Sequence, residues 1–283
     1  MSTELTAWAA DFLPGTRVHD VRSRPGGTTT VARLTGPLGE DWFAKLHRDR
    51  RAYRREVTAY REWVPALGGG APRLVTADDD AAVLVVSAVP GVLGVDARLD
   101  DDGLRAMHRR AGALLRAFHQ AAPPMTGDFA ALMAERHARW RPRAAHLLSA
   151  AELDFVRDSV ACLAGLPEPD MVPCHRDYTA RNWLVDGDAL YVIDFEHAAV
   201  EARIWDLLRL YHQVWPDHPG LRDDFIEGYG RALSDTEHTL LRLCGAHHAM
   251  TTVVWARETG DAAFERTGRD VLARLRRPAT DSG

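Results

Sequence analysis

The chain is poor in several things that would mark other kinds of protein. Among 283 residues there are three cysteines, Cys162, Cys174 and Cys244, with no C-x-x-C pair. This excludes a disulfide framework and fits a reducing compartment. No apolar run approaches the roughly 18 residues that cross a bilayer. The N-terminal MSTELTAWAADFLPG has no basic stretch followed by an apolar core, so no signal peptide and a cytoplasmic location are expected. Positive charge is not in excess: 35 Lys and Arg face 40 Asp and Glu, a net charge of −5. Bulk nucleic-acid binding, which calls for a basic domain, is not supported. Internal repeats and low-complexity segments are lacking, and lysine is scarce beside arginine.

What is present is a large apolar fraction. At 46% hydrophobic residues the chain can bury one large core or two lobes. The mildly acidic balance suits a small cationic substrate, although many ordinary enzymes share it. Residues 5–13 predict a short helix, and 17–34 predict two strands turned by RPGGTTT (24–30). DWFAKL (41–46) predicts a third strand, and RDRRAYRREVTAYREWVPAL (48–67) a helix stopped by GGGAP. AAVLVVSAVPG (81–91) reads as a buried strand closed by a turn. Beyond residue 100 the pattern is helical over 104–120, over most of 128–166 and from Ile204 onward, with a break at 215–220. Short strands are expected at 182–185 and 190–194, joined by a DGD hairpin signal. The expectation is an α+β chain of two lobes: a small β-rich lobe over 1–90 and a larger helical lobe over 91–283. Ligands often bind where two such lobes meet.

CHRDYTARNW (174–183) and YVIDFEH (191–197) carry the chemistry. Asp177 stands five positions before Asn182, and Asp194 twelve after it, beside short apolar runs. One carboxylate can orient a hydroxyl, while an amide oxygen and a second carboxylate hold metal ions. That division of labour belongs to phosphoryl transfer, in which positioning and cations do most of the work. HRDYTARN fits the H-R-D-x-x-x-x-N catalytic loop of kinases, and Asp-Phe follows on a strand end. Lys45 on the third strand then becomes the candidate for the α- and β-phosphates. Glu56 on the next helix is its partner, with Glu62 as the second choice. Ser87 and Val89 could offer their backbone to an adenine edge, and Gly26, Gly27 and Thr28 could cover phosphates or simply turn a hairpin.

On RPGGTTT, Lys45, Glu56, VVSAVPG, LLRAFHQ, HRDYTARN, VIDFEHA and WDLLRL, in that order, the chain resembles the aminoglycoside phosphotransferase and choline kinase-like family. The resemblance covers roughly residues 15–260. It implies a protein-kinase-like two-lobed fold and ATP- and Mg²⁺-dependent O-phosphorylation of small molecules, often antibiotics. Within it Asp177 is the catalytic residue, Asn182 and Asp194 bind the metal, and Asp206 braces the catalytic loop. The sequence departs from protein kinases: it has no G-x-G-x-x-G, no A-P-E, and DFE in place of DFG. WDLL follows Asp194 too closely for an activation segment.

The expected acceptor is a cationic antibiotic, an aminoglycoside or a capreomycin-type cyclic peptide, modified to give resistance by a monomeric enzyme. Glu196, Glu201, Trp255 and Glu258 are the residues expected to receive it, although Glu258 also reads as an exposed helix residue and Trp255 as core. A kinase for choline, homoserine, a thioribose or a sugar amine is the same-fold alternative. A nucleotide-binding module without catalysis is the alternative of another class. The basic run 48–56 reads as a solvated helix face, and adjacent His247 and His248 point in different directions on their helix, which argues against a shared metal.

Overall fold

The structure is a computed structural model that describes residues 2–23 and 29–277. Successive side chains of β2 (Thr29–Thr35) and β3 (Asp41–His47) point to opposite faces, and in β3 the adjacent Ala44 and Lys45 are both buried, so the sheet is covered on both faces there. With β1 (Arg17–Ser23), β4 (Leu74–Asp78) and β5 (Val83–Ser87) they form an antiparallel sheet in the order β1-β2-β3-β5-β4. Ala32, Leu34, Ala44, Val83 and Val85 turn to one face and bury Leu5 of α1 (Ser2–Phe12). Leu84 and Val86 turn to the other and pack on Tyr53, Val57 and Tyr60. Lys45 lies opposite Leu84 in register, so it faces this second side.

Tyr53 and Val57 belong to α2 (Arg50–Thr58), which Asp49 caps by accepting from the Arg51 N–H at 2.8 Å. The expected single helix over 48–67 instead changes pitch twice, into a π turn at Ala59–Trp63 and a 3-10 turn at Val64–Leu67.

The chain leaves the sheet after Ser87 and enters the helical lobe at β6 (Val92–Leu93), which pairs with β8 (Trp183–Asp186). Gly91 makes the crossing possible. Its φ is 113°, and a Cβ there would stand 2.6 Å from the Val185 carbonyl oxygen. β8 pairs in turn with β9 (Ala189–Val192), and a separate ribbon joins β7 (Met171–Cys174) to β10 (Ala199–Ala202).

Around these ribbons stand α3 (Asp101–His119), α4 (Phe129–Ala144), α5 (Ala150–Ala161), α6 (Pro219–Tyr229), α7 (Asp235–Thr259) and α8 (Ala262–Leu275). α3 meets α6 closely because Gly112 and Gly228 lie in the contact. Cβ atoms there would fall 2.1 Å from the Phe225 oxygen and 1.8 Å from the Arg109 oxygen. β4, β6, β7 and β10 were not expected. They are two to five residues long, too short to show a period.

Candidate active site

Lys45 is the only lysine in the chain. Its Nζ donates to Glu56 Oε1 at 2.6 Å and to Asp194 Oδ1 at 2.7 Å, with Glu56 fully buried. Burial works against its ammonium form, but the charges of Asp194 and Glu56 outweigh it and raise the pKa well above the ordinary value. For Asp194 burial alone would favour the neutral acid; the Lys45 charge and hydrogen bond reverse this and hold the carboxyl at about 2. Glu56 accepts the lysine on one oxygen and has His47 Nε2 2.9 Å from the other.

The second half of the site is built on the loop between β7 and β8. Asp206 fixes that loop: its carboxylate accepts from the backbone N–H of His175 at 2.8 Å and from that of Arg176, and it also meets His119 Nε2 at 3.1 Å. His175 is buried, with Nε2 2.9 Å from the Ile193 carbonyl oxygen and Nδ1 accepting from the Asp177 N–H at 3.3 Å. A ring protonated on Nε2 satisfies both contacts. Tyr178 is also buried and donates to the Ala111 carbonyl oxygen at 2.7 Å, pinning the loop to α3. Arg176 and Asp194 both have positive φ, 67° and 69°. Such backbone costs on the order of 1–3 kcal/mol per residue and persists only where the surroundings enforce it, as the bonds to Asp206 and Lys45 do here.

Two contacts bring the halves together. Ile193 N–H donates to the Asn182 carbonyl oxygen at 3.0 Å, which sets Asn182 beside the residue preceding Asp194. Asn182 Nδ2 donates to both the backbone oxygen and Oδ2 of Asp177, each at 2.9 Å. This spends the amide nitrogen on Asp177 and leaves the amide oxygen as the atom that could hold a metal ion. With Asp194 held ionised, the pair offers the hard oxygen donors that Mg²⁺ prefers.

The other oxygen of Asp177 was not legible in the sequence: Arg209 Nη1 donates to Oδ1, and Arg181 Nη2 lies 3.9 Å from the same atom. Arg209 lies in the quoted WDLLRL, three residues past Asp206, a spacing that returns a helical turn to the same side.

The residues expected to receive the acceptor do not form one group. Glu196 reaches the other lobe, accepting from Thr29 Oγ1 at 2.9 Å, with its backbone oxygen accepting from Arg55 Nε at 3.1 Å. Glu201 is buried and takes both Nη atoms of Arg136. Glu258 is exposed and closed by Arg143. Neither Glu201 nor Glu258 is free to meet a cation, because each already has one. Trp255 is 48% exposed and meets the edge of Phe264 at 5.8 Å, so it is not core. Ser87 ends β5, where its Oγ accepts from the Arg73 N–H at 2.9 Å, and Val89 follows in the crossing between lobes. Gly26, Gly27 and Thr28 lie outside the described residues. Two surface hollows of about 530 and 380 Å³, on the N-lobe sheet and beside Tyr211 and Arg242, are lined by none of these residues.

The profile of the phosphotransferase enzyme family (APH) matches residues 20–242, which include Lys45, Glu56, the whole catalytic loop and Asp194. The chain belongs to this family. It is a phosphotransferase acting on hydroxyl groups, with the kinase-like fold of a small antiparallel sheet and a larger helical lobe. A search of curated proteins found no match. Among solved structures it is similar to a choline/ethanolamine kinase family protein from Mesorhizobium loti, with a TM-score of 0.68 and 20% identity over 97% of this chain and 93% of that one. It is similar to aminoglycoside phosphotransferase APH(4)-Ia, with a TM-score of 0.71 and 14% identity over 98% and 100% of the two chains. Macrolide 2'-phosphotransferase MphH from Brachybacterium faecium gives a TM-score of 0.59 and 19% identity over 98% of each chain. At these identities the likeness carries the fold.

Proposed function

We propose that this phosphotransferase moves the γ-phosphoryl group of Mg²⁺-ATP to a hydroxyl of a small molecule. The observation that carries the proposal is one unbroken chain of contacts, Glu56–Lys45–Asp194 and Asn182–Asp177, closed by the Ile193–Asn182 backbone bond. Lys45 binds phosphate oxygens, and Glu56 keeps its ammonium in place. Ser87, at the end of β5, and Val89, in the crossing between lobes, offer backbone groups to the adenine edge. Asp194 and the amide oxygen of Asn182 hold Mg²⁺, which when bound supplies positive charge to the phosphates. Asp177 orients the acceptor hydroxyl and takes its proton. The acceptor oxygen bonds to the γ-phosphorus as the bond from that phosphorus to the bridging oxygen breaks, and ADP leaves. Arg209 holds the Asp177 carboxylate in place, and in a loose phosphoryl transition state orientation matters more than proton abstraction.

ATP as donor is supported by neighbours solved with ADP and with AMP-PNP. An antibiotic acceptor is supported by neighbours solved with hygromycin B, gentamicin or kanamycin. A metabolite kinase is the second reading, favoured by the closure of Glu201 and Glu258 onto arginines. A non-catalytic module accounts poorly for four reactive side chains meeting at one place.

The test is ADP release from Mg²⁺-ATP across aminoglycosides, capreomycin-type peptides, macrolides, choline and homoserine. Acceptor-dependent release is expected, and Asp177→Ala should lower kcat by roughly 10²–10⁴-fold, the usual share of a positioned acid–base group. Equal turnover by wild type and Asp177→Ala contradicts the proposal.

A further inference from the structure

The acceptor side of the site holds more positive than negative charge. Arg209 donates to Asp177 Oδ1, and Arg181 stands 3.9 Å from the same oxygen, so two guanidiniums face one carboxylate. Both lie over the ring of Phe264, at 5.2 Å for Arg209 and 5.9 Å for Arg181. Phe264 in turn meets the half-exposed Trp255. Of the acidic side chains nearby along α7 and α8, Glu258 is held by Arg143, Glu265 by Arg257 and Arg269, and Asp261 caps α8 by accepting from the Phe264 N–H at 2.9 Å. Arg209 Nε is buried with no hydrogen-bond partner among the described residues, and the Arg181 side chain is 55% exposed. When a hydroxyl takes its place at Asp177 Oδ1, Arg209 loses part of its contact with that carboxylate.

From this we infer that the acceptor carries an anionic group, a carboxylate or a phosphate monoester, which Arg181 and Arg209 bind while the hydroxyl lies on Asp177. Phe264, with Trp255 edge-on against it, forms the apolar wall beside it. An anion restores the charge balance that the hydroxyl disturbs, and a guanidinium fork fits either oxyanion. A polycationic acceptor meets two like charges at the reacting end instead. The inference rests on the assignment of Asp177 as the hydroxyl-orienting residue.

The test uses the full chain with Mg²⁺-ATP and acceptors matched in skeleton. These are 4-(hydroxymethyl)benzoate and linear hydroxy carboxylates, hydroxyalkyl phosphates, the corresponding amides, and the corresponding amino alcohols together with kanamycin and hygromycin B. Acceptor-dependent ADP release is expected with carboxylates or phosphates, and comparison of those two sets separates the sources of the anion. Arg181→Gln should raise the acceptor KM at least tenfold without moving the KM for ATP, Arg181→Glu should raise it further, and Arg181→Lys should recover most of the loss. Arg181 is exposed, so these variants should fold, and an unchanged melting temperature checks it. A merely structural role for Arg181 would move kcat and both KM values together. Turnover confined to cationic acceptors, or an anionic acceptor whose KM ignores Arg181→Glu, overturns the inference and leaves the phosphotransferase reading standing. If no acceptor of any charge elicits ADP release while Mg²⁺-ATP binds, both fall.

Discussion

Asp194 and Asp177 each sit against a cation, yet the two cations are held in different ways. Lys45 is nearly enclosed between Asp194 and the fully buried Glu56, so the ion pairs of the nucleotide half are closed before any ligand arrives. Arg209 keeps about a fifth of its side chain in solvent and has Asp177 as its carboxylate partner, with Arg181 adding a second positive charge. A closed network suits a ligand whose chemistry is the same in every turnover. A half with charge left over and an exposed aromatic wall suits the ligand that distinguishes one enzyme from another.

Breaking the two ion pairs should therefore cost different amounts. Glu56→Ala removes a buried partner and should destabilise the chain by about 3–5 kcal/mol, as removal of one member of a buried pair commonly does. Arg209→Gln, at a partly solvated pair, should cost under about 1.5 kcal/mol. Urea unfolding of both variants checks this, and equal losses would erase the distinction between the halves.

Acid should sharpen the same contrast, with a smaller effect. Burial lowers His108 to about 4 and His247 to about 4, so their native rings stay neutral while the unfolded chain takes up protons below its ordinary value of 6.5. Stability should fall as pH drops from 6.5 to 4, by up to roughly 3 kcal/mol for His108. Asp194 runs lower: its native value of about 2 lies below the ordinary 3.8, so its contribution is present above 3.8 and is lost as pH falls toward 2. Between pH 6.5 and 4 the histidines of the helical lobe act and Asp194 does not. His108→Gln should flatten the pH dependence of the melting temperature over that interval; an unchanged slope would remove His108 as a cause.

The same contrast explains what could be read from the sequence. Asp177, Asn182 and Asp194 lie on one loop and the hairpin after it, and Lys45 and Glu56 on a strand and the next helix. Short stretches of chain carry them to the site, and their spacing is visible as a motif. The acceptor side is assembled across distance. Arg209 reaches Asp177 from 32 residues away, and Phe264 comes from another helix. An arginine in an arginine-rich chain carries no mark of its partner. Glu201 and Glu258 show the same limit: each carboxylate is visible in sequence, but the arginines paired with them stand 65 and 115 residues earlier. The two-lobed fold was legible from long periodic segments and the large sheet strands. β7 and β10, which frame the catalytic loop and the turn after Asp194, have four residues each and no period to read.

The division of labour between the aspartates is most directly tested by titrating Mg²⁺-ADP into Asp177→Asn and Asp194→Asn and comparing each Kd with wild type. The account predicts a Kd within about threefold of wild type for Asp177→Asn, and at least tenfold weaker, about 1.4 kcal/mol, for Asp194→Asn. Equal weakening in both variants, or loss confined to Asp177→Asn, would contradict it.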